Sequence, residues 1–387
     1  MTESGKLEDF SLFGGPLHRV GDRLGLVHGG TNTVPLGLAL GVSTWVVLVA
    51  LALIEGVGNQ LFSLPMIGTH VRLLLAIPLL FMCEALVDPR MAMFVGMLVR
   101  SRVVPDTALQ ALNSETARAT RYRNSAWPES ILLLAAVLSL LIGPQLHLFG
   151  VTANFDARTA GGDTSLTGAW YWIVCMTLFR FLLLRWLWRL AIWSHFLWRL
   201  SRLELHLVPT HPDRAGGLGY LEVVHNEFCA LVLALSAVQA ASFAEELAAG
   251  TLALEATYPA LGLMLVLFAA LFLGPLCIFA PRLWACRVKG LADYSILAAR
   301  YVNEFDRKWL REDGARDASL LGTPDLRSMA DLSSSVGIVR DVRLVIVSFG
   351  MLVHIASAAL LPMVPLLLFK FPVQTLAEKL FLRLFGL

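Results

Sequence analysis

The chain has 387 residues, 57% of them apolar and 16% charged, well above the roughly 45–50% apolar share of soluble domains. That excludes an ordinary soluble fold and indicates an integral membrane protein. The formal charge of +2 says little by itself, because in such a protein the positions of the charges matter more than their sum; no nucleic-acid partner is expected.

The first 36 residues are mixed and Gly-rich without a short apolar h-region, so no cleavable signal peptide is expected. The first hydrophobic helix is then expected to act as the insertion signal. A spanning helix needs about 20 largely apolar residues, and seven candidates follow in chain order: 38–57, 70–88, 129–150, 169–192, 224–246, 258–281 and 343–369. The fifth is rich in Ala and Ser, which suits close packing at the centre of a bundle. The seventh carries Pro362 and Pro365 and is expected to kink or re-enter. The predicted fold is an all-α, polytopic membrane helix bundle of about seven spans with a helical cytoplasmic layer. Residues 1–37 form an N-terminal segment, 38–281 hold helices one to six with loops 89–128 and 193–223, and 282–342 form a helical insert. In that insert Leu291, Tyr294, Ala298, Tyr301 and Phe305 recur every three or four residues until Gly314 ends the pattern. Residues 370–387, with Lys379 and Arg383 opposite Leu376, Leu380, Phe381 and Leu384, read as a surface-lying amphipathic helix.

Lys and Arg concentrate on alternate sides of the spans. Lys6, Arg19 and Arg23 precede the first; none lies between the first two; Arg90, Arg100, Arg102, Arg118, Arg121 and Arg123 follow the second; eleven lie from Arg282 to Arg343. The N-terminus, the 89–128 loop and the 282–342 insert are therefore expected in the cytoplasm of an inner (plasma) membrane. Their basic face could meet anionic lipid, and a homo-oligomer is compatible with the pattern. The five cysteines (Cys83, Cys175, Cys229, Cys277, Cys286) lie in or beside apolar runs without C-x-x-C spacing, so packing is their expected role.

Charges inside the spans carry the most information. Glu84 and Asp88 lie roughly 21 and 27 Å below His70, and Arg185 and Arg189 roughly 24 and 30 Å below Ala169, at 1.5 Å per residue. Each pair is spaced i, i+4 and shares a helix face. A charge ladder between helices two and four is expected, against the plainer reading that the arginines snorkel to the interface among Trp186, Trp188, Trp193 and Trp198. Arg180 falls near mid-bilayer, roughly 17 Å deep, at the level of His354 counted inward from Arg343. The two are expected to meet in a polar interior, where a fixed cation favours anions. Glu55, Glu245, Glu246 and Glu255 read as solvated rim residues of the outer loops.

The stretch "THPDRAGGLGYLE" carries His211 and Asp213 ahead of Gly216, Gly217 and Gly219. It lacks the strand-to-helix context and the lysine of a phosphate cradle, so a tight re-entry into helix five is the expected role. A metal held by His206, His211, Asp213 and His225 is the sharper alternative to solvated or capping histidines; no strict ligand spacing supports it, and no other cofactor is indicated. No nucleophile and base can be named as a catalytic pair.

This loop, the opening "SLFGGPLHRVGDRLGLV" and the closing "LPMVPLLL" resemble an uncharacterised family of bacterial polytopic membrane proteins with a His-Pro-Asp-x-x-Gly-Gly-Leu-Gly loop. The resemblance implies a bacterial membrane setting and transfers no function. The leading expectation is a channel or transporter for an ion or small solute, with Arg180 and His354 on its path and Glu84, Asp88, Arg185 and Arg189 as an inner gate or brace. The alternatives are a membrane-embedded enzyme centred on the loop and a non-transporting structural or signalling protein.

Overall fold

The computed structural model describes residues 11, 14–27, 32–142, 165–310 and 324–369. All of its elements are helical. We label them α1 (Pro16–Arg23), α2 (Val34–Ile54), α3 (Leu64–Arg100), α4 (Leu109–Asn124), α5 (Ala126–Ile142), α6 (Leu166–Arg202), α7 (Tyr220–Ala248), α8 (Leu254–Trp309), α9 (Pro324–Arg340) and α10 (Phe349–Phe369). Among the described residues α2, α3, α6, α7, α8 and α10 are long and apolar enough to cross a bilayer, and α5 is a shorter apolar helix. The protein is a multi-pass membrane helix bundle close to the seven spans expected. The C-terminal amphipathic segment and Gly314 lie outside the described residues.

Small residues set how closely the helices approach. Gly37 and Gly41 lie one turn apart on α2, where an added Cβ would stand 2.7 Å from the Phe81 side chain and 2.3 Å from the Leu73 carbonyl oxygen of α3. Thr33 locks this contact by donating to the Phe81 carbonyl at 3.0 Å. In lipid, where apolar burial gives helices no reason to associate, such backbone contact supplies the packing energy. The Ala- and Ser-rich α7 is the most deeply buried span, packed against α3 and α10. Its Ser236 hydroxyl reaches the Ala359 carbonyl of α10.

Several spans are not uniform α-helices. Val71–Ala76, Tyr171–Met176 and Ala269–Leu273 are π-helical. The first and third stop two residues before Pro78 and Pro275, whose missing N–H and ring disturb the preceding turn. α10 passes from α-helix to 3-10 geometry over Leu361–Phe369, the stretch that holds Pro362 and Pro365. α8 is 56 residues long, roughly 84 Å at 1.5 Å per residue, so its later part runs far beyond a hydrocarbon core about 30 Å thick. There it pairs with α9. Tyr301 donates to the Asp325 carbonyl at 2.7 Å, and Lys308 and Trp309 both reach the Asp325 carboxylate. Their donors hold that carboxyl below the usual range.

α3 and α6 continue to Arg100 and Arg202, past the ends that hydropathy suggests, because their last turns are polar but still helical. Gly41→Val should force α2 away from the Leu73 carbonyl and cost about 1–3 kcal/mol. Thermal unfolding in detergent would register this as a lowered midpoint, and an unchanged midpoint would mean the α2–α3 approach contributes little.

Candidate functional site

Glu84 is the meeting point of the inner cluster. It sits on α3 at 2% exposure and faces Arg185 and Arg189 of α6, at 2% and 6%. Arg185 Nη1 donates to Glu84 Oε1 at 3.0 Å, and Arg189 Nη1 reaches the same oxygen. The i, i+4 spacing of the arginines brings both to one carboxylate. α5 adds Glu129, whose Oε1 accepts from Arg185 Nε at 3.3 Å. The remaining nitrogen of the Arg185 fork, Nη2, donates to the Gly14 carbonyl at 3.1 Å. Asp88, one turn beyond Glu84, accepts from the Ser11 hydroxyl at 2.9 Å, and Arg123 Nη1 donates to the Ser11 carbonyl at 2.9 Å. Burial lowers the Arg123 guanidinium against the pull of Asp88.

His18 of α1 lies over this cluster. Burial holds it below its ordinary value, with Arg185, Arg189 and Arg123 acting in the same sense and Asp22 opposing them. Among the described residues the buried His18 Nδ1 and Glu84 Oε2 have no hydrogen-bond partner. The snorkelling alternative therefore fails for Arg185 and Arg189, and the tryptophan belt expected around them is only partial. Trp186 and Trp193 are core residues, donating to the Leu80 carbonyl and to His225 Nε2, while Trp198 is exposed.

Arg180 departs from expectation. It is buried between α6 and α5, and its Nη1 donates to the Ser139 hydroxyl at 3.0 Å. His354 is exposed on α10, which packs on α7. Equal depth did not mean equal direction, and the two residues do not meet. Along α5, Glu129, Ala136 and Ser139 follow one face, so the helix that meets the inner cluster also carries the hydroxyl that meets Arg180.

A second buried cluster lies toward the other end of the same helices. Arg72, in the π-helical stretch of α3, donates from Nη1 to the Tyr171 hydroxyl at 3.0 Å and from Nη2 to Ser242 Oγ at 3.2 Å. Glu245 is 3% exposed and accepts from the Gly68 backbone N–H at 2.8 Å. A Cβ at Gly68 would lie 2.6 Å from Glu245 Oε1 and 3.1 Å from Arg72 Nη1. Glu245 is thus no solvated rim residue. Arg72 went unnoticed in the sequence because it lies only two residues inside its span, yet a lone arginine in "HVRLLLAIPLL" was a signal. Glu55 is also committed: it takes hydrogen bonds from Ser165 Oγ (2.7 Å), Leu166 N (2.6 Å) and Thr167 N (3.2 Å), capping the first turn of α6.

In the "HPDRAGGLG" loop, Asp213 is a hub for backbone donors. Ala215 N and Gly219 N reach it at 2.8 Å, Gly217 N at 3.1 Å, and His211 Nδ1 lies 2.7 Å away. Burial opposes its ionisation, but these donors outweigh burial and hold the carboxyl below its ordinary value. Gly216 and Gly217 have φ of +65° and +99°, so the turn needs glycine there. Arg343 fastens the loop to α7 through the Asp213 carbonyl (3.1 Å) and Glu222 (2.7 Å). The residues of the metal alternative are not brought together. His206 is exposed, His211 serves Asp213, and His225 lies in the core between Trp193 and the Phe272 carbonyl. Among the described residues no group of three or more His, Cys, Asp or Glu side chains is placed to hold a metal ion. No family model, curated protein or solved structure matches the chain.

Removing Glu84 leaves two guanidinium groups facing one another, so Glu84→Gln should cost about 3–5 kcal/mol, more than Glu129→Gln. Adding Arg189→Gln to Glu84→Gln should recover part of that loss, a coupling of about 0.5–3 kcal/mol; strict additivity of the unfolding free energies would dissolve the shared-carboxylate account. For Glu55, the donors of Thr167, Ser165 and Leu166 pull the pKa down to about 2. Its stabilising effect should be complete above the ordinary value of about 4.3 and vanish as pH falls through about 2. Unfolding midpoints of Glu55→Gln and the parent protein should therefore differ at neutral pH and converge in acid.

Proposed function

We propose that the protein is a channel or transporter for a small anionic solute and that Arg180 is the group the solute meets at mid-membrane. One observation supports this above the others: a guanidinium at 8% exposure whose hydrogen-bond partner is a neutral serine, with no acid paired to it among the described residues. A charge at the bilayer centre costs between about 2.5 and more than 10 kcal/mol by different methods, and such residues mark ion and substrate paths by default. A passing anion would supply the countercharge that the fold leaves out, and the Ser139 hydroxyl would add a neutral donor. Glu84, Arg185, Arg189 and Glu129 act in this reading as the inner brace, two acids against two arginines, which favours neither sign of solute.

The distribution of Lys and Arg supports a cytoplasmic N-terminus in an inner (plasma) membrane. It also supports contact of the α8–α9 hairpin with anionic headgroups through Arg282, Arg287 and Lys289. An enzyme centred on the His211–Gly219 loop has less support, because both carboxylate oxygens of Asp213 already accept backbone donors.

The test is flux through purified protein in liposomes of neutral lipid, with chloride, nitrate, phosphate and a dicarboxylate supplied in turn. At least one anion should cross, and Arg180→Gln should slow it by about tenfold or more, equivalent to about 1.4 kcal/mol, while the elution profile stays unchanged. Silence across the whole set, or a variant as fast as the parent, removes the proposal.

A further inference from the structure

A cavity of about 690 Å³ lies between α6, α7 and α8, and it follows from a break in α8. That helix is π-helical over Ala269–Leu273 and 3-10 over Gly274–Phe279, where Pro275 has no N–H to continue the ladder and its ring crowds the preceding turn. The Gly274–Phe279 stretch packs against α6. Before the break α8 stands off, and the cavity takes up the space. Leu263 and Leu267, on its α8 wall, are 61% and 57% exposed, so the space opens toward the hydrocarbon layer and a lipid-soluble molecule can enter from there.

One polar side chain lines this space. It is Gln239 of α7, and no described residue shares a hydrogen bond with its carboxamide. Gln239 lies nine residues before the end of α7 at Ala248, roughly 14 Å along the axis, close to the middle of a hydrocarbon core about 30 Å thick. An amide without a partner is costly in such surroundings, and hydrocarbon chains cannot supply one.

We propose that this cavity binds a lipid-soluble quinone, with a ring carbonyl accepting from the Gln239 carboxamide and the ring lying among Phe179, Met264 and Phe268. The lining decides the chemical class. Among the described lining residues there is no charged side chain, so a carboxylate or phosphate would lie at this depth without a counter-charge. A phospholipid keeps its esters near the interface, too shallow for Gln239. A neutral carbonyl on an apolar body meets both conditions. Two phenyl rings and a thioether favour a flat ring over a slender chain, through stacking and sulfur–ring contact, and the volume suits a small ligand. The proposal is independent of Arg180, which meets Ser139 of α5 and not this cavity.

The full chain in detergent is titrated with a decyl-substituted benzoquinone, and the heat of binding is recorded together with the thermal unfolding midpoint. One molecule per chain should bind saturably and raise the midpoint. Gln239→Met keeps the length of the side chain and removes the amide. It should weaken binding about tenfold, or about 1.4 kcal/mol, and leave the ligand-free midpoint no lower than the parent's. Leu183→Trp, which fills the cavity from α6, should abolish binding, and it decides the matter if Gln239→Met does not fold. Competition identifies the occupant: decane, decanol and decanoate should each displace the quinone poorly. Equal displacement by decane overturns the proposal and assigns the cavity to bilayer chains; equal displacement by decanol or decanoate overturns the quinone as its ligand. No saturable binding, full affinity in Gln239→Met or unaltered binding in Leu183→Trp also overturns it, whatever the anion flux of the same protein.

Discussion

One carboxylate oxygen of Glu84, shared by Arg185 and Arg189, constrains the rest of the bundle. Two guanidinium groups on one face of α6 cannot both leave water without an acid, because removing ions from water costs several kcal/mol each even after relaxation. A single glutamate on α3 meets both only when the helices dock at one height and one rotation. Arg185 then has further donors to place, and these fix two more stretches: Glu129 draws in α5 and the Gly14 carbonyl draws in the start of α1. Four separate stretches of chain are thereby registered by one charge cluster.

The same two helices are tied again toward their other ends, where Arg72 reaches Tyr171. Both residues lie in π-helical stretches, which widen the helix and turn side chains away from the directions a regular α-helix would give them. From Arg72 to Glu84 is twelve residues, roughly 18 Å along α3, so the ties are well separated and Arg180 falls between the matching positions on α6. Two cavities elsewhere in the bundle are largely apolar. The cavity of about 690 Å³ beside α6 is lined by leucines, Phe179, Met264, Phe268 and their neighbours, with Gln239 its polar contributor. A second, of about 530 Å³, lies between α3, α7 and the two prolines of α10 and is apolar throughout.

Depth was legible in the sequence because it follows from residue count and rise alone. Counting put Glu84 level with the arginines of α6, and the i, i+4 spacing put each pair on one face, both local rules. Direction was not legible. His354 has the depth of Arg180, but which neighbour a face meets depends on packing that no local pattern encodes, and α10 docks on α7 with His354 outward. Burial of Glu245 was hidden for a related reason: hydropathy reads "FAEEL" as the end of a span, whereas Arg72 and Gly68 on another helix close over it. The loop glycines were readable, because positive φ at Gly216 and Gly217 is a backbone requirement that the residue type reports directly. His225 was read as part of the loop because it follows it closely in sequence, yet its partners, Trp193 and the Phe272 carbonyl, are many residues away.

Charge balance along α6 sets Arg180 apart from the other buried arginines. The inner cluster sets two glutamates against two arginines, and Arg72 has Glu245 beside it around Gly68, so each end is internally compensated. A compensated cluster holds helices in place, because acids and arginines from neighbouring helices lie close together. Arg180 differs in having the Ser139 hydroxyl and no paired acid among the described residues. In a medium of low dielectric that difference is large, since the field of an uncompensated guanidinium falls off slowly there. Arg180 is therefore the charge whose field the fold screens least, on a helix that the two clusters tie to α3 on either side of it.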